Sequence, residues 1–218
     1  MDVKTVIQQL SQVPAESPSS ASVDLYNPYA PGDANNAIRR ENLRRYLQFM
    51  IERQPDTMLV MEAPGYRGCR LTGVPVTSRK VLLEGVADLG IFGAAQGYEN
   101  PNDPGFERVY GEQSATIVWT TLAELNALPI LWNTFPFHPH KPGIPLSNRR
   151  PRKAEMRLGT TFLSAMMQLF PVQRVVAIGN VAHDTLTGMG ISCSKVRHPA
   201  QGGKNDFVAG LRTFFHKG

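Results

Sequence analysis

The residues of this chain best suited to chemistry lie in the segment 196–204, Val-Arg-His-Pro-Ala-Gln-Gly-Gly-Lys. His198 stands between the cations Arg197 and Lys204, and the backbone then enters a Gly-Gly turn. An imidazole N–H in such surroundings can stabilise a departing anion close to a polyanionic backbone. The alternative interpretation is a surface histidine, or one whose ring nitrogens are satisfied by structural hydrogen bonds.

Two further polar residues follow apolar runs. Glu62 opens the turn Glu-Ala-Pro-Gly after residues 58–61, and Asn133 follows residues 130–132 and precedes Thr-Phe-Pro-Phe. A carboxylate at the end of a strand can orient or deprotonate an attacking water, or it can cap backbone N–H groups at the turn. An Asn amide presents a donor beside an acceptor, but Asn is also a common turn residue.

Alternating strands and helices must position these three side chains. The apolar pattern predicts strands at residues 57–61, 130–132, 174–178 and 192–196, and helices at residues 3–13, 37–53, 80–85, 114–127, 153–170, 181–187 and 207–216. Because strands that alternate with helices pair in parallel, we predict an α/β protein: a three-layer α/β/α sandwich with a central, mainly parallel four-stranded sheet. Ligands of such sheets bind beyond the carboxyl ends of the strands, where Glu62, Asn133 and His198 lie.

The composition is that of one globular domain. The chain has 218 residues, 42% of them hydrophobic and 19% charged, which is enough to bury one substantial core. Residues 14–21 are rich in Ser, Pro and Ala, so we predict a flexible N-terminal segment at 1–22 and a single domain at 23–218. The Gly- and Pro-rich region 65–111 is predicted to be a functional loop region, and 138–152 an irregular loop.

The charge balance favours an acidic partner. Lys and Arg number 23 against 18 Asp and Glu, giving a net charge of +5 and a pI near 9.4. This balance suits nucleic acid, although a mildly basic surface without a ligand is the alternative. The two cysteines fit a reducing compartment, and no run resembles a signal peptide or a membrane span, so we expect a cytoplasmic protein with no membrane partner.

Three ordered matches together resemble a known family. They are Glu-Ala-Pro-Gly at 62–65, Asn-Arg-Arg-Pro-Arg-Lys-Ala-Glu at 148–155 and His-Pro at 198–199. The chain is similar in these segments to the uracil-DNA glycosylase superfamily, and most closely to its iron–sulfur branch, in which Gly precedes the first motif where Met61 stands here. The resemblance implies a hydrolase of base excision repair that cleaves the N-glycosidic bond of uracil, or another deaminated base, and leaves an abasic site in DNA.

The resemblance also implies roles for individual residues. His198 donates to the base oxygen, Asn133 reads the base, and Glu62 acts on the water. The residues expected to bind the base are Ala63, Pro64, Gly65, Tyr66, Val76, Asn133 and Phe135. Those expected to contact DNA are Arg149, Arg150, Arg152, Arg197, Gln201 and Lys204, with Gln201 as the side chain that fills the gap left by the extruded base. The alternative for the Arg run is a solvated helix start.

The chain departs from the family at three points. The iron–sulfur branch holds its cluster with four cysteines, whereas this chain has only Cys69 and Cys193, so we expect no metal and no organic cofactor. Val76 stands where an aromatic ring usually stacks on the base, and Tyr66 or Phe135 is expected to supply that ring instead. Ala63 stands where a related branch has a catalytic Asp.

These departures keep other functions open. One is a glycosylase for a different deaminated or mismatched base. Another is a non-catalytic DNA-binding protein of the same fold. The expected partner in every case is DNA, single- or double-stranded, and we expect a monomer. A zinc site at His138 and His140 is not expected, because no cysteine lies nearby.

Overall fold

A computed structural model describes residues 1–14 and 24–216 of the chain. Eight helices and six strands occur in this part of the chain, in addition to two short 3-10 turns. In chain order they are α1 (Val3–Gln12), β1 (Leu25–Tyr26), α2 (Ala34–Arg53), β2 (Thr57–Met61), α3 (Cys69–Thr72), α4 (Arg79–Glu84), α5 (Gln113–Glu124), β3 (Ile130–Asn133), β4 (His138–Pro139), α6 (Lys153–Leu169), β5 (Arg174–Ile178), α7 (Asn180–Gly188), β6 (Ser194–Val196) and α8 (Lys204–His216).

The central sheet has four strands in the order β3-β2-β5-β6, and every neighbouring pair is parallel. All residues of β2 and β3 are buried, as are the last three of β5. Continuous apolar strands of this kind are found where helices cover both faces of a parallel sheet. The predicted three-layer α/β/α fold is therefore confirmed.

The register of the sheet brings the ends of its strands to one edge. Met61 of β2 pairs with Asn133 of β3, and Ile178 of β5 pairs with Val196 of β6. Glu62 therefore follows the strand beside Asn133, and His198 lies two residues beyond β6. This common edge is where a parallel α/β sheet places its ligand.

The first helix belongs to the packed body of the protein. Asp2 caps α1 by accepting a hydrogen bond from the Thr5 N–H at 2.7 Å, and Val3, Val6 and Leu10 on one face of the helix are buried. The predicted flexible segment 1–22 thus contains a helix. The apolar face of this helix packs against the core, where it contacts α2 and α6. Of the predicted linker 14–21, residues 15–21 lie outside the described residues, so the domain boundary stays a prediction.

Other differences are local. The helix predicted at 80–85 is present as α4, but the region 65–111 also contains α3 and both 3-10 turns, and the predicted irregular loop 138–152 begins with β4, which pairs antiparallel with β1. The elements that were not predicted have at most four residues, too few to produce an apolar period. None of the described helices combines the length and the apolar character that a membrane crossing requires.

Candidate active site

A cleft of about 1140 Å³ opens at the carboxyl edge of the sheet. Its walls come from the ends of β2, β3, β5 and β6 and from the loops that follow them. The predicted site residues that line it are Glu62, Ala63, Pro64, Gly65, Val76, Asn133, Arg149, Arg150, Arg197, His198 and Gln201. Four predicted residues are not part of its lining: Tyr66, Phe135, Arg152 and Lys204.

His198 presents a single N–H donor to this cleft. Its Nδ1 accepts a hydrogen bond from the Ala200 backbone N–H at 3.1 Å, so the proton of the neutral ring sits on Nε2. Burial lowers the pKa of His198, the Glu112 carboxylate opposes that shift, and the Arg197 cation adds to it. The imidazole is therefore neutral at physiological pH, with Nε2–H free to donate.

Two glycines pack closely against His198, and one of them leaves no room for a side chain. A Cβ on Gly203 would lie 2.1 Å from the His198 carbonyl oxygen, and one on Gly179 would lie 3.3 Å from the His198 Cβ. Gly179 also has φ +88°, in the region that favours glycine. The Gly179 N–H donates to the Val196 carbonyl at 2.9 Å. This hydrogen bond ties the end of β5 to the start of residues 197–203, here called the histidine loop.

Asn133 ends β3 with its side chain facing the cleft. It is only 3% exposed, and its amide makes no hydrogen bond to any residue in the described part of the chain. An amide buried to this degree ordinarily has a partner, so a free one at a cleft wall is suited to a ligand. Gly159 of α6 holds the following turn in place, since a Cβ there would lie 2.1 Å from the Thr134 carbonyl oxygen.

Glu62 is held through its backbone while its side chain stays available. Its carbonyl accepts hydrogen bonds from the Phe135 N–H at 3.0 Å and from the Thr134 hydroxyl at 2.7 Å. Burial raises the pKa of the Glu62 carboxyl, and the Arg150 cation partly offsets that rise. A half-buried carboxyl with a raised pKa is a common property of general bases.

The loop after Glu62 is anchored to residues 138–148. The Tyr66 N–H donates to the Asn148 Oδ1 at 3.0 Å, and the His138 Nδ1 lies 2.8 Å from the Pro64 carbonyl oxygen. Asn148 also lines the cleft. Asn148 is not among the predicted site residues. Its place at the start of the 148–155 match could have indicated a role in the site.

Neither proposed aromatic substitute for Val76 reaches the cleft. The Tyr66 ring stacks against the Arg67 guanidinium at 5.2 Å, and Phe135 is fully buried against Phe137, with ring centroids 5.3 Å apart. Phe135 points into the core because it follows the buried strand β3. No Phe, Tyr or Trp in the described ranges lines the cleft, so the structure does not bring Tyr66 or Phe135 to the place expected for a stacking ring.

Val76 itself has an unusual backbone. Its φ is +54°, which is rare for a β-branched residue and costs on the order of 1–2 kcal/mol. The Trp119 indole N–H donates to the Val76 carbonyl at 2.8 Å and holds this conformation. Strain of this kind is retained at functional sites more often than elsewhere.

Arg149 is a structural residue rather than a free cation. Its five N–H groups donate to the carbonyls of Asp24, His140 and Arg150 and to both Glu155 carboxylate oxygens, at 2.6–3.1 Å. All five donors are therefore used within the protein, and the structure does not support the predicted DNA contact of Arg149. The Glu155 hydrogen bonds also raise the pKa of Arg149.

The other predicted DNA contacts differ in their surroundings. Arg152 pairs with Asp24 and stands outside the cleft, which weakens the prediction for it, and Lys204 lies at the start of α8. Arg150 and Arg197 are exposed at the cleft and make no ion pair with a described residue. They are therefore the two predicted cations available to a bound anion there.

Glu112 lines the cleft and is not among the residues predicted from the sequence. It is the N-cap of α5, and its carboxylate oxygens accept from the Ser114 N–H at 3.1 Å and the Ala115 N–H at 2.6 Å. An acidic residue just before a predicted helix was the available signal. Two carboxylates, from Glu62 and Glu112, therefore face the cleft.

The residues present do not fit the iron–sulfur cluster of the branch that the sequence resembles. The chain has two cysteines, of which Cys69 is buried, and burial raises the pKa of its thiol to about 12. Across the described ranges, no group of three or more His, Cys, Asp or Glu side chains could hold a metal ion. Both ring nitrogens of His138 face carbonyl oxygens, those of Pro64 and Pro145.

Comparison with known proteins bears on the fold. The wild-type SMUG2 of Pedobacter heparinus is similar to this chain with a TM-score of 0.65, covering 99% of this chain and 97% of that chain at 14% sequence identity. No protein-family model matches the chain, and no curated protein matches it. The two chains thus share one fold along nearly their whole length.

Proposed function

We propose that this protein is a DNA glycosylase of the uracil-DNA glycosylase superfamily, which removes uracil or another deaminated base and leaves an abasic site. The observation that carries the proposal is the convergence of Glu62, Asn133 and His198 on one cleft. The fold supports it, because SMUG2 is a member of that superfamily. At 14% identity the lesion itself rests on the chemistry of the cleft.

The cleft is suited to an extruded nucleotide. An enzyme that cleaves an N-glycosidic bond in duplex DNA must take the base out of the stack and read its Watson–Crick edge in a pocket. Uracil offers an acceptor beside a donor on that edge, and the free Asn133 amide offers the complementary pair. This amide lines the cleft, and no described residue competes for it.

His198 stabilises the departing base. Cleavage of the glycosidic bond leaves negative charge on the base, and the Nε2–H of His198 donates to the oxygen that carries it. Removal of one such donor costs about 3 kcal/mol in comparable sites, or roughly 10²-fold in rate. A neutral imidazole is sufficient, because one N–H is enough.

The two carboxylates act on the sugar and the water. The sugar becomes positively charged as the bond breaks, and the carboxylates of Glu62 and Glu112 stabilise that charge. Glu62 also orients or deprotonates the attacking water, and this role compensates for Ala63 in the position of the missing Asp. Glu112 is held rigid by two backbone N–H groups, so its contribution is electrostatic.

Single substitutions test the assignments. Asn133→Ala and His198→Ala should each slow base release by on the order of 10²-fold or more while DNA binding stays nearly intact. His183→Ala is the matched control, because His183 is a partly exposed histidine of α7 that does not line the cleft. A parallel loss of binding and rate in Asn133→Ala and His198→Ala would contradict the assignments.

A second candidate is a DNA-binding protein without turnover. Ala63 favours it, since this position lacks the carboxylate that a related branch uses. It predicts salt-dependent DNA binding with no base release from any lesion. Within the glycosylase class, Val76 in place of a stacking ring favours a lesion other than uracil, and a panel with hypoxanthine, xanthine and mismatched thymine separates these cases.

A further inference from the structure

Two large apolar side chains stand exposed on one loop beside the cleft. Ile144 is 53% exposed and Leu146 is 49% exposed, with Pro145 between them. The other exposed large hydrophobic residues in the described part of the chain are Met1, Ile51, Val109 and Leu158. None of those four is within three residues of another. In the described residues, the loop 141–148 is therefore the one place where two exposed large apolar residues lie close together in sequence.

Three hydrogen bonds hold the turn that carries these side chains. The Ile144 N–H donates to the Lys141 carbonyl at 3.0 Å, and the Lys141 N–H donates to the Ser147 hydroxyl at 2.9 Å. The Ser147 hydroxyl in turn donates to the Ile144 carbonyl at 2.7 Å. Gly143, at φ +69°, allows the tight turn that brings these groups together.

The same loop is fixed to the cleft. Asn148, the last residue of the loop, and Arg150, two residues further on, line the cleft. His138 lies between the loop and the first motif, with its Nε2 3.4 Å from the Pro145 carbonyl oxygen and its Nδ1 2.8 Å from that of Pro64. The apolar pair therefore stands on a loop that is joined to the cleft wall.

The segment that follows His198 has no comparable group. Residues 199–204, Pro-Ala-Gln-Gly-Gly-Lys, contain no large apolar side chain, and Gln201 is exposed. Extrusion of a base leaves a gap in the duplex that proteins commonly fill by inserting an apolar side chain between base steps. A polar Gln fills such a gap less well, because it buries an amide between bases.

We propose that Ile144 and Leu146 form a wedge that enters the base stack of duplex DNA at the gap left by the extruded nucleotide. This inference rests on the proposed glycosylase function. Duplex DNA is the partner because the exposed cations Lys141 and Arg150 flank the apolar pair and the segment 141–152 contains no acidic residue. Cations around an apolar tip match a phosphate backbone around stacked bases.

The proposal predicts a defect confined to duplex substrates. The double variant Ile144→Ser/Leu146→Ser removes two exposed side chains, so the fold stays intact. Single-turnover base release from a duplex should fall by on the order of tenfold, and release from the same strand without its complement should change by less than about twofold. Ile51→Ser, at a 40% exposed apolar residue of α2, is the matched control and should change neither rate.

A second readout works without turnover. 2-Aminopurine placed beside the lesion brightens when its neighbours unstack, so duplex binding by the wild-type protein should raise its fluorescence and binding by the double variant should not. Equal brightening by both proteins would overturn the wedge, as would an unchanged ratio of duplex to single-strand rates. Absence of base release by the wild-type protein on either substrate would instead reject the proposed function, while the fluorescence comparison would still decide on the wedge.

Discussion

A methyl group added at Gly203 should move the histidine loop and slow base release without unfolding the protein. The Cβ of Ala at this position would lie 2.1 Å from the His198 carbonyl oxygen. The two atoms must separate by roughly 1 Å to reach ordinary contact. A displacement of about 1 Å at a reacting group costs on the order of 10²-fold in rate. Gly203→Ala should therefore release the base about a hundredfold more slowly, at a stability cost of about 1–3 kcal/mol.

The adjacent glycine provides the control. Gly202 has φ +78°, so Gly202→Ala also strains the backbone by about 1–2 kcal/mol, but its Cβ would meet nothing within 4 Å. The two variants should thus be similarly destabilised in urea, while Gly203→Ala alone loses base release under single-turnover conditions. A wild-type rate in Gly203→Ala, or an equal slowing in both, would refute the argument that backbone packing positions His198.

Substitutions of four other residues in or near the cleft are expected to change stability, DNA binding or base release. Arg149→Ala should lower the free energy of unfolding by about 3 kcal/mol in urea titrations, because the Asp24 and Glu155 carboxylates then keep only the half-exposed Arg152 as a cationic partner. Arg150→Ala should instead keep stability and reduce the salt slope of DNA binding by about one. Glu62→Gln should slow base release by on the order of 10²-fold. It should nevertheless raise the melting temperature at pH 7, because burial raises the pKa of the Glu62 carboxyl and so disfavours its charged form in the folded protein. This gain in stability should vanish below the ordinary pKa of 4.5, where the carboxyl is protonated in both states. His138, whose burial lowers its pKa to about 4, should make the protein lose on the order of 3 kcal/mol as the pH falls from 6.5 to about 4, and the urea midpoint of His138→Gln should lack this loss.

The position of the site could be predicted from the sequence because it depends on strand ends. Buried strands are visible as apolar runs, and in a parallel sheet their carboxyl ends must meet at one edge. Glu62, Asn133 and His198 follow three such ends, and all three line the observed cleft. The strands β2 and β5 also have the predicted bounds.

The direction of individual side chains could not be predicted in the same way. Arg149 stands in a basic run that resembles a DNA contact, but its partner Asp24 is 125 residues away in sequence. Phe135 lies two residues after Asn133, yet its ring is fully buried against Phe137. Both outcomes depend on tertiary packing, about which local composition carries no information.

The glycine contacts were equally hidden from the sequence. Gly159 is an ordinary residue of a helical pattern, and its role becomes apparent only because α6 approaches the Thr134 carbonyl so closely that no side chain fits. Glu112 likewise became a site residue through the placement of α5 beside the cleft. Long-range packing of this kind decides which residues surround a predicted catalytic group.

The most direct test of the account is base release from a labelled oligonucleotide that carries one uracil, followed by alkaline cleavage at abasic sites. The wild-type protein should produce a band at the uracil position, and His198→Ala should lose it while still binding the oligonucleotide. A band of equal strength in His198→Ala would contradict the role of the histidine. No band from the wild-type protein with uracil, hypoxanthine, xanthine or mismatched thymine, despite salt-dependent DNA binding, would contradict the proposal that this cleft cleaves a glycosidic bond.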